Sequence, residues 1–565
     1  MGVLITIISR VFSLFAPRLI GDSLTAVENF LTNHQGDLAM LKALLIKNIL
    51  IIIGATLLSG FFTFLMRQTI INVSRYIEFD LKNEIFSYYQ KLSQRFYKNN
   101  RTGDLMNRIS EDVSKVRMYV GPAIMYSINT VTLFICVITI MFSIAPKLSV
   151  YTLIPLPLLS FTIYKLSRVI NMRSTAVQEM LSNLSSYTQE TFSGISVIKS
   201  YSMESIFYKK FDHFALESKE KNMNLVKVQA WFFPLMILLI GLSNLIVIFI
   251  GGQQYMGGEI EIGVLAEFII YINMLTWPVA VVGWVTSVVQ QAEASQKRIN
   301  AFLNEPVEIK DGSGVDVIIK GEITLENITL IYPETKIKAL DGINLKIESG
   351  KSLGIIGKVG SGKSSLLNII NRLYDPNTGK VLLDGYDIRK FKLEKLRSYI
   401  GNIPQNAFLF SESIQDNIRL GKVDATDLEI QQACKTAAIH KSIIKFKDGY
   451  QTLLGERGLT LSGGQIQRIS IARAIIKDTE ILLLDDCLSA VDTDTEEIIL
   501  KNLKNYSQNK TTIIVSHRIS SVKNADHIVV LDQGKIIEQG DHQKLYNLKG
   551  FYYDLFNKQQ NEKEY

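Results

Sequence analysis

Cysteine is scarce in this chain: Cys136, Cys434 and Cys487 stand far apart, with no Cys-x-x-Cys pair and no histidine cluster beside them. That excludes a disulfide framework and a thiolate zinc site, and it suits a reducing compartment for the soluble part. Also lacking is any run of Lys and Arg interleaved with aromatics. The net charge of +7 is modest and scattered, so nothing points to a nucleic-acid partner. No internal repeat or low-complexity tract occurs. The first apolar run, 3–20, is expected to be a true first span rather than a cleaved signal peptide, since it has no charged segment ahead of it and no small-residue cleavage pattern behind it. Further runs follow it, as they would in a membrane protein.

What is present divides in two. At 565 residues the chain exceeds one core. Up to about residue 290, long apolar runs alternate with polar, basic stretches; beyond it, strands and helices of ordinary soluble length are expected. Six runs, 3–20, 44–65, 123–144, 148–170, 231–250 and 263–289, are each long enough to cross roughly 30 Å of hydrocarbon as a helix. An even number puts both termini on one side, and the soluble half belongs in the cytoplasm if it uses ATP. Loop charge agrees. Asp22, Glu28 and Asp37 outweigh Lys42 in one outer loop, and Glu259 and Glu261 stand alone in another. By contrast, Arg75, Lys82, Lys91, Arg95, Lys98, Arg101, Arg108 and Lys115 crowd the stretch after the second run, as the positive-inside rule requires. Arg18 can snorkel to an interface, whereas Arg10 is expected to face protein or a water-filled cavity.

The polar stretches 66–118 and 171–228 are too long for ordinary loops. Ile77, Leu81, Ile85, Tyr88 and Leu92 keep helical spacing, so the spans are expected to continue as helices into the cytoplasm. Breaks at 99–103 and 193–194 mark either plain helix ends or short helices lying across each tip, pressed against the soluble domain. Residues 290–321 have linker composition, with turn signals at 304–306 and 311–314.

The soluble half is organised around Gly357-Lys-Val-Gly-Ser-Gly-Lys-Ser364, between the apolar run 352–356 and the segment 365–370. It fits G-x-x-x-x-G-K-[S/T] in the strand-then-helix setting that this phosphate loop needs. Its glycines let successive N–H groups face phosphate oxygens at a helix N-terminus. Gly357, Gly360, Ser361, Gly362, Lys363, Ser364 and the adjoining Ser365 are the candidate phosphate-binding residues, with Lys363 reaching the β- and γ-phosphates and Ser364 a ligand of Mg²⁺. The run 481–485 is a buried strand ending in Asp485, placed to hold Mg²⁺ through water. Leu461-Ser-Gly-Gly-Gln465 offers a second set of backbone donors at a helix start, about a hundred residues away. Two chains arranged head to tail could sandwich two ATP molecules, each between one chain's phosphate loop and the other's Ser462, Gly463, Gly464 and Gln465.

With these residues in hand, the chain resembles an ATP-binding cassette exporter half-transporter over nearly its whole length. The resemblance implies a six-span α-helical transmembrane domain (1–305), a linker (306–320), an α/β P-loop nucleotide-binding domain (321–558) and a polar tail (559–565). It implies Tyr332 for adenine stacking, Gln405 in Pro404-Gln405 beside the metal and the reacting water, Asp492 in Ser489-Ala-Val-Asp492 at the nucleotide, and His517 in Ser516-His-Arg518 as a catalytic residue. Gly455-Glu-Arg-Gly458 resembles the segment that touches a partner's intracellular helices, and Thr102-Gly-Asp-Leu105 the first intracellular loop. The family's interfacial helix ahead of the first span is expected to be missing or to lie upstream of this start.

One residue departs from the family pattern. The residue after the strand-ending Asp is usually Glu and polarises the attacking water; here it is Asp486. One methylene shorter, its oxygens fall back by roughly 1 Å, a misplacement that can cost on the order of 100-fold in rate. ATP binding is expected to survive. The reading is an integral, multi-pass protein of a bacterial-type inner membrane, with both termini and the nucleotide domain cytoplasmic. It is expected to use ATP and Mg²⁺ to export a drug, lipid or peptide, paired with a different half-transporter that carries Glu. A homodimeric exporter, or a siderophore-type importer on the exporter fold, stands as the alternative.

Overall fold

A computed structural model describes residues 2–33, 38–455 and 461–561. Asp37, residues 456–458 of the 455–458 segment and residues 562–565 of the expected tail lie outside the described residues. The chain forms two compact units, Met1–Tyr89 with Thr102–Glu305 and Gln90–Arg101 with Pro306–Tyr565.

Among its described residues the first unit forms helices joined by short turns, with no strand. Five of its stretches, Gly2–Thr32, Leu38–Lys91, Thr102–Ile144, Glu204–Met256 and Ile262–Leu303, are long and apolar enough to cross a membrane. The sixth expected crossing, 148–170, falls on the helices Pro146–Leu153 and Pro155–Ser193. Pro155, Pro157, Lys165 and Arg168 dilute its apolar run, and the prolines Pro146 and Pro155 sit in first turns, where a missing N–H costs nothing.

Several helices run further than composition alone suggests, because tertiary contacts hold them. The first run is helical to Asn33; there a Cβ on Gly263 would stand 2.1 Å from the Gly21 carbonyl oxygen, so two backbones touch where only glycine fits. The last membrane helix continues through linker-like composition to Leu303. Its C-terminal end is pinned by buried Asp112, which accepts hydrogen bonds from Ser295 Oγ at 2.9 Å and Arg298 Nε at 3.0 Å, while Phe302 packs 4.5 Å from the Tyr89 ring. Arg10 donates to the Asn129 side chain, so it faces protein. The break at 193–194 is followed by a short helix, Ile195–Ser200.

The second unit contains strands β1 (Ile323–Ile331), β2 (Lys338–Ile347), β3 (Ser352–Gly357), β4 (Thr378–Leu383), β5 (Tyr386–Asp387), β6 (Ile400–Ile403), β7 (Ile481–Asp485), β8 (Thr511–Val515), β9 (His527–Asp532) and β10 (Lys535–Gly540). They make a four-stranded antiparallel sheet, β2-β1-β4-β5, and a six-stranded sheet, β10-β9-β3-β8-β7-β6. The larger sheet is parallel except for β10. Its inner strands are continuous apolar runs, covered on both faces as parallel strands must be. Leu483, Ile513 and Ile355 are fully buried, each contributing about 1.5–3 kcal/mol through removal from water. Pairing sets Ile355 and Asp485 both opposite Val515. The carboxyl ends of β3, β8 and β7 therefore lie side by side, where parallel sheets bind ligands.

The Asp112 contact yields a stability prediction. Burial alone would raise its carboxyl, but hydrogen bonds from Arg298 and Ser295 outweigh burial and hold it below the usual carboxylate range. A depressed folded-state pKa gives stability that is present above the unfolded value and lost as pH falls through the folded one. Asp112→Asn is expected to cost about 1–3 kcal/mol at neutral pH, and the gap to the parent should close on acidification below the ordinary carboxylate range. Thermal unfolding in detergent across pH measures this, and a gap independent of pH would contradict it.

Candidate nucleotide site

The phosphate loop leaves β3 at Gly357 and ends in the helix Lys363–Ile370. Gly362 closes it with φ +103°, and a Cβ there would meet the Ala339 carbonyl oxygen at 2.3 Å; only glycine satisfies both conditions. Lys363 is buried, and its ammonium donates to the carbonyls of Gly357 and Lys358, each at 2.8 Å. Burial lowers its pKa, against the charges of Asp486 and Asp485. Ser361 is buried, and its Oγ has no hydrogen-bond partner within the protein. A buried orphan hydroxyl inside a ring of backbone donors fits a phosphate oxygen, so the residues present suit a nucleotide.

Two carboxylates face this loop from the end of β7. Asp485 Oδ1 accepts from Ser364 Oγ at 3.0 Å. Burial raises the Asp485 pKa and the neighbouring Asp486 adds to it, while Ser364, Lys363 and His517 act the other way. A hydroxyl and a carboxylate in contact beside the phosphate loop are the donor set that Mg²⁺ requires when phosphates supply the remaining oxygens. Asp486 itself sits at φ +43°, a left-handed conformation that short Asp and Asn tolerate better than longer side chains. Its backbone is fixed at both ends: the N–H donates to Val515 O at 2.9 Å, and the carbonyl accepts from Ser489 Oγ at 3.0 Å.

On the other side of the loop, Tyr332 follows β1 and shares a 3.0 Å hydrogen bond with Ser365. Its ring meets Tyr374 edge-on, with centroids 5.4 Å apart. Lys98 places its ammonium over both rings, 5.8 and 5.4 Å from the centroids. Lys98 belongs to a short helix, Gln94–Asn99, that groups with the nucleotide domain. Arg95 bridges Glu308 and Glu334 there, and Asn99 donates to Glu334 at 3.1 Å. Bonded by its own backbone, Arg95 and Asn99, the Glu334 carboxyl is held down to about 2. Lys98 figures in the sequence only as one of many basic residues, and nothing there marks Tyr374; only folding brings these two beside Tyr332.

The remaining candidates are placed as follows. Gln405 is exposed just past the end of β6, the strand paired with β7 through Ile403 and Leu484. Ser462 and Gln465 form a capping box that opens the helix Gly463–Ile475, using the Ser462 and Gln465 N–H groups and leaving those of Gly463 and Gly464 outside that reciprocal pair. A Cβ on Gly464 would lie 2.9 Å from the Ala490 carbonyl, so the signature segment packs on the 489–492 turn. Asp492 caps the helix Thr493–Tyr506 through the Thr495 N–H. Among the described residues, no hydrogen bond or ion pair joins Ser462–Gln465 to the phosphate loop of the same chain. His517 follows β8, and its backbone is clamped from an unexpected quarter. Gln559, on the helix Phe551–Asn561, donates to His517 O at 2.7 Å and accepts from the Ile519 N–H at 2.9 Å.

This geometry can be set beside known proteins. The family described as the ABC transporter transmembrane region matches residues 1–279, and the ABC transporter family proper matches residues 340–489. The chain belongs to the ABC transporters. It is similar to the multidrug resistance-like ATP-binding protein MdlA of Buchnera aphidicola, with 37% identity over 89% of this chain and 87% of the relative. The probable multidrug resistance ABC transporter ATP-binding/permease protein YheI of Bacillus subtilis is 36% identical over 85% and 82%. A bacterial Atm1-family ABC exporter solved with ATP bound superposes with a TM-score of 0.82 at 25% identity, covering 99% of this chain and 98% of that one. This ABC exporter therefore fuses a multi-pass helical membrane domain to an ATP-binding domain and couples ATP hydrolysis to transport. Exporters of this kind work as dimers.

The Gln559 clamp is testable. With the catalytic role expected of His517, losing the clamp should let its backbone drift, and a shift of about 1 Å at a reacting centre can cost up to about 100-fold. In the purified chain alone, where only its own ATP site is read, Gln559→Ala is expected to lower the kcat for ATP about tenfold with little change in KM, and Gln559→Glu, which keeps only the acceptor, should fall between. Equal kcat in all three would contradict a positioning role.

Proposed function

We propose that this transporter exports an amphipathic or apolar substrate, a drug, lipid or peptide, as one half of a heterodimer in which it supplies the weakly hydrolytic ATP site. The nucleotide domain and both termini lie in the cytoplasm of a bacterial-type inner membrane. Lys363, Ser361 and the loop N–H groups hold the phosphates, Tyr332 stacks the base, and Ser364, Gln405 and Asp485 hold Mg²⁺, which when bound neutralises charge on the transferring phosphate. Ser462, Gly463, Gly464 and Gln465 face the partner's nucleotide. In this reading Asp492, beside that segment, lies at the same interface, and His517 meets the γ-phosphate.

The observation that carries the heterodimer reading is Asp486. Its backbone is tied on both sides by hydrogen bonds to Val515 and Ser489, so the strand end cannot advance to make up for the missing methylene. The water-polarising carboxylate stays short of its target, while binding groups on Lys363 and Ser364 are complete. The signature segment, which serves the opposite site, is complete too. Mutual closure then follows from linkage: ATP bridges two domains only when they meet, and so favours the closed arrangement by its differential affinity alone.

The test is turnover of the purified chain alone and after Asp486→Glu. The reading expects slow hydrolysis alone, a gain of about tenfold or more with Glu, and a comparable gain when the parent chain is paired with a half-transporter bearing Glu. Full hydrolysis by the parent homodimer, with no gain from either change, would favour a homodimeric exporter. Extrusion from inverted vesicles, rather than accumulation within them, would favour an importer on the same fold.

A further inference from the structure

The membrane unit holds a cavity of about 560 Å³ that none of the nucleotide chemistry uses. Its walls come from the helix Leu38–Lys91, from the successive helical segments Val113–Met118, Tyr119–Ala123 (a π-helical turn with its internal Pro122) and Ile124–Ile144, and from the helix Ile262–Leu303. Its lining is chemically divided. Arg67 and Gln68 lie two and three residues beyond the apolar run 44–65, about 3–5 Å along the helix axis at 1.5 Å per residue. That is the depth at which a bilayer places its phosphates. Tyr126 and Trp284 form the apolar wall, their rings meeting edge to face with centroids 5.7 Å apart.

The polar end carries no acid. Among the described residues no carboxylate lies within ion-pair distance of Arg67, and no Asp or Glu lines the cavity. The Gln68 side-chain oxygen accepts from the Asn72 amide at 3.0 Å, which leaves the Gln68 N–H groups for another acceptor, with the Asn72 oxygen the one amide acceptor beside them. Close by, a Cβ on Gly121 would lie 2.6 Å from Ser74 Oγ, so the Gly121 backbone packs directly against the Ser74 side chain. A π-turn at such a place interrupts regular packing and opens the space above it.

We propose that this cavity binds an amphipathic anion, its phosphate or carboxylate head on Arg67 and Gln68 and its apolar body against Tyr126 and Trp284. A guanidinium and an amide donor match an oxyanion through paired hydrogen bonds, and the aromatic wall covers the chain that follows. The occupant's chemistry narrows the export reading above to anionic cargo and rests on that reading only in calling the occupant cargo; binding itself does not depend on it.

The test uses the full chain in phosphatidylcholine nanodiscs without ATP. Trp231→Phe and Trp277→Phe leave Trp284 as the one tryptophan reporter of the three in the chain. Dodecyl phosphate should change Trp284 emission saturably, and dodecyltrimethylammonium should not. Arg67→Gln should weaken dodecyl phosphate at least about tenfold, the loss expected for a charged hydrogen bond, and Arg67→Lys should restore part of it, which separates lost charge from misfolding. Adding phosphatidylglycerol to the discs decides the source: a raised apparent Kd makes the bilayer's own lipid the natural occupant, and an unchanged one makes it a free amphiphile. Equal responses to the two head groups, or binding indifferent to Arg67→Gln and Arg67→Lys alike, would overturn the proposal.

Discussion

The nucleotide site depends on the parallel pairing of β3, β8 and β7. Because Ile355 and Asp485 are both in register with Val515, three strand ends reach the same edge. The phosphate loop, the Asp485–Asp486 pair and the His517 turn therefore share one crevice. A slip of one residue in any of these strands would turn its apolar side chains out of the core. Burial of residues such as Ile355, Leu483 and Ile513 thus does more than stabilise the sheet: it fixes the alignment on which the chemistry rests. The loop then adds local constraints. Gly362 is required by backbone conformation and by the nearness of Ala339, and Lys363 is folded back onto its own loop carbonyls, an arrangement that a phosphate can replace with a stronger, charged partner.

The same crevice is open on one side, and the residues that would close it belong elsewhere. Ser462 and Gln465 use their side chains to cap one another, so what they present outward is the bare first turn of a helix. Gly464 needs its missing side chain to lie on the Ala490 carbonyl, which ties this donor surface to the 489–492 turn. A surface of this kind attracts an anion. In the present chain it has no bond to the phosphate loop among the described residues, which is the geometry expected when the anion it serves is held by another copy or another protein. The Gln94–Asn99 helix adds a third element. Through Arg95, Asn99 and Lys98 it groups with Glu334 and the Tyr332 ring, so a short helix from early in the chain lies against the expected adenine platform.

Much of this was legible in the sequence, and the reasons are local. A phosphate loop is specified by contiguous residues, each with a stereochemical duty, so its place between β3 and a helix could be read from the order of residues. Apolar run lengths likewise reported the membrane helices, except where tertiary contact overrode composition: Gln290 to Leu303 reads as linker yet stays helical because Asp112 and Tyr89 hold Ser295, Arg298 and Phe302. What sequence could not reveal is what lies far apart along the chain. Lys98 and Tyr332 are separated by more than two hundred residues, as are Arg95 and Glu334, and no spacing rule joins them. Gln559 sat in a stretch taken for a polar tail, and nothing in its neighbours hinted that its amide would grip the turn at His517. Asp486 was visible as a departure from the family pattern; that its backbone is left-handed and anchored on both sides is a property of the fold.

The central claim is that each nucleotide is completed by two chains, and it is best tested by a change on one chain read out on the other. ATP hydrolysis would be measured in the co-purified pair after Ser462→Arg in this chain alone, with this chain's own phosphate loop intact. The account predicts that turnover at the partner's site falls on the order of 100-fold or more while ATP binding to this chain's Lys363 loop persists. Unchanged turnover by the pair, with Ser462 blocked, would contradict it.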